Sequence, residues 1–456
     1  LAHALTRARE VNPVTRFDAI GLNLTGESKG IGGIIFAGTA TADGTLQLTL
    51  GSRNAEPYVL SVSAGDTAAT IVTALAAAVT ASPSEFIDAS PSGSAVLLTA
   101  TVRGTWSQSI GVNLTGTVPG ITFTVNQFGA TVAGTDGSLT GVLDVIGADR
   151  YQGIVWMFED PTDVVSVLDA RFNVTNDIQD GRLFYGKIDT LANHLTALAS
   201  LNSSSVCACV DRRAGTANYA GPTVFEPAHL KVAEFAAIRA LRRTDGALLG
   251  NTVIARSAGD AFGGPHTNSK PYFNTPLANA GLPFVGTSWD QTEVAQLEAA
   301  GGFVMDANRA QNTVITGDVV TTYKTDAAGN PDTTWKYLNY VDTATACREY
   351  LINNTRAQYP QYRGTAGALI PGVDSANEAS VAAFIMRKIS ELGDLGLLMK
   401  GVGTQDGETV DYDKRHREAL TVSFNVSAGT FTVGATLYPV TQFRAANFSF
   451  SIAFDA

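Results

Sequence analysis

The chain has 456 residues, 45% of them hydrophobic and only 16% charged, with 42 acidic against 31 basic side chains and a net charge of -11. That length suggests about three domains, and the apolar content is enough for real cores. The acidic balance excludes a nucleic-acid partner gripped through its phosphates, which needs a basic stripe. No apolar run approaches the roughly 20 residues of a membrane span.

In chain order, Leu1 to Asn12 reads as a short helix with Leu1, Ala4, Leu5 and Ala8 on one face, broken at Asn12-Pro13. Phe17 to Leu24 reads as a strand. A chain that opens on a helix and a strand looks like the middle of an α/β unit, so an N-terminal segment is expected to precede Leu1. From Gly26 to Gly137 the composition shifts to Gly, Thr, Ser and Ala. Leu46, Leu48 and Leu50 alternate with polar residues, as do Tyr58, Leu60 and Val62, then Val96, Leu98 and Ala100, then Val112 and Leu114, then Ile121, Phe123 and Val125. Period two predicts half-buried antiparallel strands. One helix interrupts them, capped by Asp66 or Thr67 and burying Ala68, Ile71, Leu75 and Val79.

Beyond Gly137 strands alternate with helices: helix at 138–148, strand at 151–158, helix at 161–174, strand at 183–188, helix at 191–201, strand at 205–211, helix at 227–243, short strand at 253–255, helix at 291–300, strand at 303–305. This alternation predicts an α/β sheet with helices on both faces. The β-rich stretch is then an insertion into it. A hairpin is expected at 318–338 around Ala328-Gly329-Asn330, a helix capped by Asp342 running to Gln358, and another over 377–392 with Val381, Phe384, Ile385, Ile389 and Leu392 on its apolar side. The chain closes on alternating runs: Leu420, Val422, Phe424 and Val426; Phe431 and Val433; Phe448, Phe450, Ile452 and Phe454. So apolar a terminal strand calls for a sheet to receive it.

Several motifs invite chemistry. Thr25-Gly26-Glu27-Ser28-Lys29-Gly30-Ile31-Gly32 matches a short-chain dehydrogenase phosphate loop, but such a loop needs a helix directly after it. Here Gly33-Ile34-Ile35-Phe36 reads as strand, so a Gly-rich junction is the plainer reading. Of the five histidines, His194 and His229 fall on helices, and His266, near Asp260 in a Gly/Pro/Asn loop, has the one site-like setting. Cys207, Cys209 and Cys347 read as reduced core thiols, which fits a reducing cytoplasm. Lys414 to Arg417 and Arg239, Arg242 and Arg243 read as solvated or inter-subunit charge. No residue set predicts a catalytic, cofactor-binding or metal site.

The order of segments resembles the contractile tail sheath proteins of Mu-like phages. The likeness rests on Gly38 to Leu46, Ser63 to Ala69 with its Ala-rich helix, Val96 to Ala100 followed by Arg103-Gly104-Thr105, and Thr321 to Thr325 through Trp335 to the helix ending in Gln358-Tyr359-Pro360. Between Tyr412 and Val440 only strand periodicity matches. The resemblance implies a non-enzymatic structural subunit: a discontinuous α/β core (1–25 and 138–316), an inserted mostly-β domain (26–137) on the sheath exterior, an α+β C-terminal domain (317–446) and a strand arm (447–456). Its implied partners are copies of itself in hexameric rings and a helical sheath, the tail tube protein, and baseplate and tail terminator proteins, with no cofactor, direct nucleic-acid contact or membrane insertion. Its place would be the virion, assembled in the host cytoplasm. Phe448, Phe450, Ile452 and Phe454 would form the donated strand, and Leu420, Val422, Phe424, Val426, Phe431 and Val433 the receiving hairpin. Arg387, Lys388 and Glu391 would mark a tube-facing helix. A capsid or tube component, or a dinucleotide-binding oxidoreductase, are the alternative readings.

Overall fold

The computed structural model describes residues 2–13, 15–20, 26–50, 57–83, 87–101, 103–105, 107, 110–129, 131–136, 144, 151–171, 181–212, 228–247, 272, 275–277, 289–307, 313–405 and 408–439. The chain divides into two compact units, Leu1–Leu241 with Tyr272–Leu338, and Arg242–Pro271 with Asn339–Ala456. Among the described residues no helix is long and apolar enough to cross a membrane.

The first unit opens with α1 (Ala2–Val11). The buried Asn12 stops it: its side chain bonds Thr15 and the carbonyl of Ala237, which ties the helix end into the unit. A β-rich segment follows, with β1 (Ile31–Gly38), β2 (Gly44–Leu50), β3 (Tyr58–Val62), α2 (Ala68–Ala81), β4 (Ile87–Ser92), β5 (Ala95–Ala100), β6 (Val112–Thr117) and β7 (Ile121–Asn126). The strands form two antiparallel sheets, ordered β4-β5-β1-β7 and β3-β2-β6. Each alternation seen in the sequence buries one side: Leu46, Leu48 and Leu50 from β2, and Val96, Leu98 and Ala100 from β5, share one apolar cluster with Ile71, Leu75 and Val79 of α2. Thr67, not Asp66, caps α2 by accepting the Thr70 amide. β4 was not legible in advance, because Ile87-Asp-Ala-Ser-Pro-Ser carries one strongly apolar residue. It forms because β5 offers it a ladder from Ile87–Ala100 to Ser92–Ala95.

Next come β8 (Ile154–Trp156), α3 (Thr162–Arg171), β9 (Leu183–Asp189), α4 (Leu191–Ala199), β10 (Val206–Arg212), α5 (Ala228–Ala247), α6 (Gln291–Ala300), β11 (Gly302–Ala307) and β12 (Thr313–Thr316). They build one sheet in the order β12-β11-β10-β9-β8. β8 to β11 run parallel, and β12 pairs antiparallel with β11. Both faces are covered, so the strands read as continuous apolar runs rather than alternations. Leu183, Tyr185, Val206, Ala208, Val210 and Val304 pack against Val164 and Leu168 of α3, Leu198 of α4, and Val294 and Leu297 of α6. Phe184, Cys207, Cys209, Phe303 and Met305 point the other way, onto Val232, Phe235 and Ile238 of α5. Cys207 and Cys209 are buried free thiols on one face, as their spacing implies.

Two expectations change here. Residues 17–20 are not a strand, and 21–24 lie outside the described residues. The helix expected at 138–148, Asp144 apart, and the strand at 253–255 also lie outside them. The hairpin at 318–338 is reduced to single bridges, Val320 with Tyr337 and Thr325 with Pro331. Pro331 has no amide to give a ladder, while the Thr322 amide turns to the carbonyl of Val206 and so binds this segment to the end of β10.

The second unit contains α7 (Leu338–Gln358) after its first residue, β13 (Arg363–Gly364), β14 (Ser375–Ala376), α8 (Glu378–Asp394), β15 (Val402–Gln405), β16 (Glu408–Asp411), α9 (Tyr412–Ala419), β17 (Thr421–Asn425) and β18 (Thr430–Gly434). α7 begins four residues before Asp342, which is buried inside the helix rather than capping it. Asn377 caps α8 in a reciprocal box with Ser380. Val381, Phe384, Ile385, Ile389 and Leu392 bury against Cys347, Leu397 and Leu398, with Leu420, Val422 and Phe431 packed at the margin. The basic run at 414–417 is α9. Asp411 caps it by accepting the Lys414 amide, and Arg417 occupies its last turn, where the helix dipole favours positive charge.

Candidate functional site

The chemistry-bearing candidates resolve into structural roles. After Gly26 to Gly30 the chain enters β1, so a strand and not a helix follows the dehydrogenase-like loop. Its glycines serve close packing: a Cβ on Gly30 would lie 2.3 Å from Ser107 Oγ, and one on Gly32 would lie 2.7 Å from the Asn126 carbonyl. His266 and Asp260 lie outside the described residues. His194 is buried on α4, its Nε2 2.8 Å from the Asp211 carbonyl and 3.1 Å from the Asp189 amide. Burial lowers its pKa, only partly offset by the Asp211 carbonyl. Lys231 of α5 pairs with Asp211 of β10, both side chains almost wholly buried. Arg212 holds Glu293 at 2.6 Å and lies over the Trp289 ring. These groups knit the C-terminal ends of β9 and β10 to α4, α5 and α6. Among the described residues no group of His, Cys, Asp or Glu has the makings of a metal site.

The hairpin of β17 and β18 has a different character. Its register runs from Thr421–Gly434 to Asn425–Thr430 around a four-residue loop, with Gly429 at φ 65°. Phe424 and Phe431 face each other with ring centroids 4.5 Å apart. Leu420, Val422 and Phe431 turn toward the α8 core. Val433, on the same side as Phe431, is 39% exposed, and Val426, in the loop beyond β17, is 67% exposed. Among the described residues no third strand joins this two-stranded sheet. An isolated hairpin is marginal in water and needs a helix or further strands to hold it. Here α8 supplies one side.

Two contacts that sequence reasoning did not anticipate fix the hairpin. Glu378, the first residue of α8, accepts the Phe424 amide through Oε1 at 2.8 Å. The Phe424 ring lies against the bare Cα of Gly364, where any Cβ would collide with it. A local signal marked Glu378 only as a first-turn acid. Nothing near it tells of a bond to a residue 46 positions away.

Arg387, Lys388 and Glu391 lie on one stretch of α8. Lys388 bonds Glu391 at 2.7 Å, Tyr350 of α7 donates to the same carboxylate at 2.7 Å, and Arg387 sits over Phe384. Burial works against the Glu391 carboxylate, yet the Lys388 and Tyr350 hydrogen bonds outweigh it and lower its pKa. Arg387 is the outward member, its side chain 62% exposed. Phe448, Phe450, Ile452 and Phe454 lie outside the described residues.

No family model and no curated protein matches the chain. Among solved structures, the chain is similar to the sheath tail protein of Desulfitobacterium hafniense, at 12% identity and TM-score 0.41 over 96% of this chain and 84% of that one. The Listeria innocua sheath tail protein aligns at 14% identity and TM-score 0.39, over 90% and 79%. A chain of the anti-feeding prophage baseplate aligns at 14% and TM-score 0.40, over 69% and 72%.

Proposed function

We propose that this chain is a structural subunit of a contractile phage tail sheath. It polymerises as hexameric rings around a tail tube and contracts to drive that tube through the host envelope. It is not an enzyme and uses no cofactor. Residues 1–25 and 138–316 are the discontinuous α/β core, 26–137 an exterior β insertion, 317–446 the C-terminal domain and 447–456 a strand arm. Copies of itself, the tube protein and the baseplate and terminator proteins are its partners in the virion, with assembly in the host cytoplasm. The alternating Phe448, Phe450, Ile452 and Phe454 of one copy add to the hairpin of another. Arg387, Lys388 and Glu391 of α8 face the tube in the extended state.

The observation that carries this reading is the two-stranded hairpin. It presents a ladder and an apolar margin at Phe431 and Val433, in a chain whose segment 447–456 alternates large apolar with small residues in the pattern of a strand. Strand addition links chains through backbone bonds worth about 1 kcal/mol each, numerous enough in a lattice to join bodies that still move. The test is deletion of 447–456, followed by sedimentation and negative-stain imaging. A folded monomer that no longer forms helical tubes is expected, and normal tubes from the truncation would overturn the strand-donation claim.

A further inference from the structure

A two-stranded sheet has two edges, and its hydrogen bonding distinguishes them. The Phe424 amide goes to Glu378 and not to β18, so the Phe424–Phe431 pair is one of the pairs that exchange no ladder bonds. The 4.5 Å ring separation agrees, because side chains approach more closely at such pairs. Pairs alternate along an antiparallel ladder, so Val422–Val433 is of the same kind. The amides and carbonyls of Val422 and Phe424 therefore point outward from β17, and those of Phe431 and Val433 outward from β18. On β17, the Glu378 carboxylate holds the Phe424 amide and Gly364 lies against the ring. β18 has no such guard among the described residues, and Thr430, Thr432, Val433 and Gly434 are exposed.

We infer that β18, not β17, is the edge that receives the donated strand, and that Glu378 closes the β17 edge against it. This rests on the strand-donation reading above and says where the donor sits. The occupant is segment 447–456 of a second copy. Its large apolar residues recur every second position, as Phe431 and Val433 do, so one register places all of them on the α8-facing side of the sheet and covers the exposed margin of Val433. Phe431 and Val433 offer that strand two amides and two carbonyls.

Proline on the β18 edge tests the assignment in the full chain. At Val433 it removes an outward amide that the hairpin ladder does not use. Val433→Pro is expected to lose sedimentable assembly. Hydrogen exchange of the unsubstituted protein gives a readout independent of variant folding: on assembly, exchange slows at 430–434 and stays unchanged at 421–425. Assembly retained in Val433→Pro, or new protection confined to 421–425, overturns the edge assignment. Full protection of 430–434 already in the monomer overturns the second-copy occupant and points to the same chain's own segment. If the 447–456 deletion still assembles, strand donation itself fails and this assignment falls with it; if that deletion blocks assembly but Val433→Pro does not, only the edge is wrong.

Discussion

Phe235 shows how much one side chain decides. Fully buried on α5, it meets Phe184, Tyr272 and Phe303 with ring centroids 5.6, 5.4 and 5.1 Å away, and so joins three separate stretches of chain. Phe235→Ala should cost about 3–5 kcal/mol, measured by denaturant unfolding of the first unit, because the surrounding rings cannot collapse into the space. His416 makes a pH-dependent contribution to the second unit. Its Nε2 accepts the Tyr438 amide at 3.2 Å, and its ring packs on Tyr438. Burial lowers its pKa from the ordinary 6.5, with Asp413 opposing. The unfolded ring takes up a proton near its ordinary value, and the folded ring only at lower pH. The stability this residue confers is therefore complete above about 6.5 and is lost as pH falls toward the folded value. The denaturation midpoint of this unit should drop between about pH 7 and about pH 5, and His416→Gln, which keeps an acceptor, should flatten that slope.

At the scale of elements, caps and ladders explain most boundaries. Asn377 and Ser380 exchange bonds at the start of α8, and Asp290 and Glu293 do the same at α6. Asn377→Ala should destabilise the second unit by about 1 kcal/mol, read from its unfolding midpoint, because one orphan amide of the first turn loses its acceptor. The cap of α2 and the alternations of β2 and β5 were legible because the signal is local. β4, β12 and α9 were not. β4 and β12 are short and borrow their order from β5 and β11, and α9 is so polar that only its Asp411 cap announces it. Asp342 misled in the opposite direction: an acid before an apolar run resembles a cap, yet packing of Leu338 and Val341 starts α7 earlier and leaves Asp342 inside it.

For the whole molecule, the prediction is assembly. Low charge, 45 glycines and apolar residues left exposed on the hairpin suit surfaces that meet copies of themselves. If the sheath reading holds, the full chain forms regular helical tubes in negative stain, and removal of 447–456 leaves monomers with unchanged far-ultraviolet circular dichroism in the α/β region. On the proposed contractile reading the extended form is held by a barrier rather than by equilibrium, so its lifetime should fall steeply on heating.

The sequence alone determined the periodicities: where strands alternate, where both faces of a sheet are apolar, which helix carries which stripe, and that the last ten residues are patterned as a strand. Those properties are written in neighbours two to four positions apart. Only the tertiary structure decided that Gly30 and Gly32 of the phosphate-loop look-alike pack against Ser107 and the backbone of β7, and that Lys231 meets Asp211. It alone set Glu378 against Phe424 and so made the two edges of one hairpin unequal. Each of those outcomes depends on residues distant in the chain whose backbones come within a few ångströms, and local pattern carries no record of that distance.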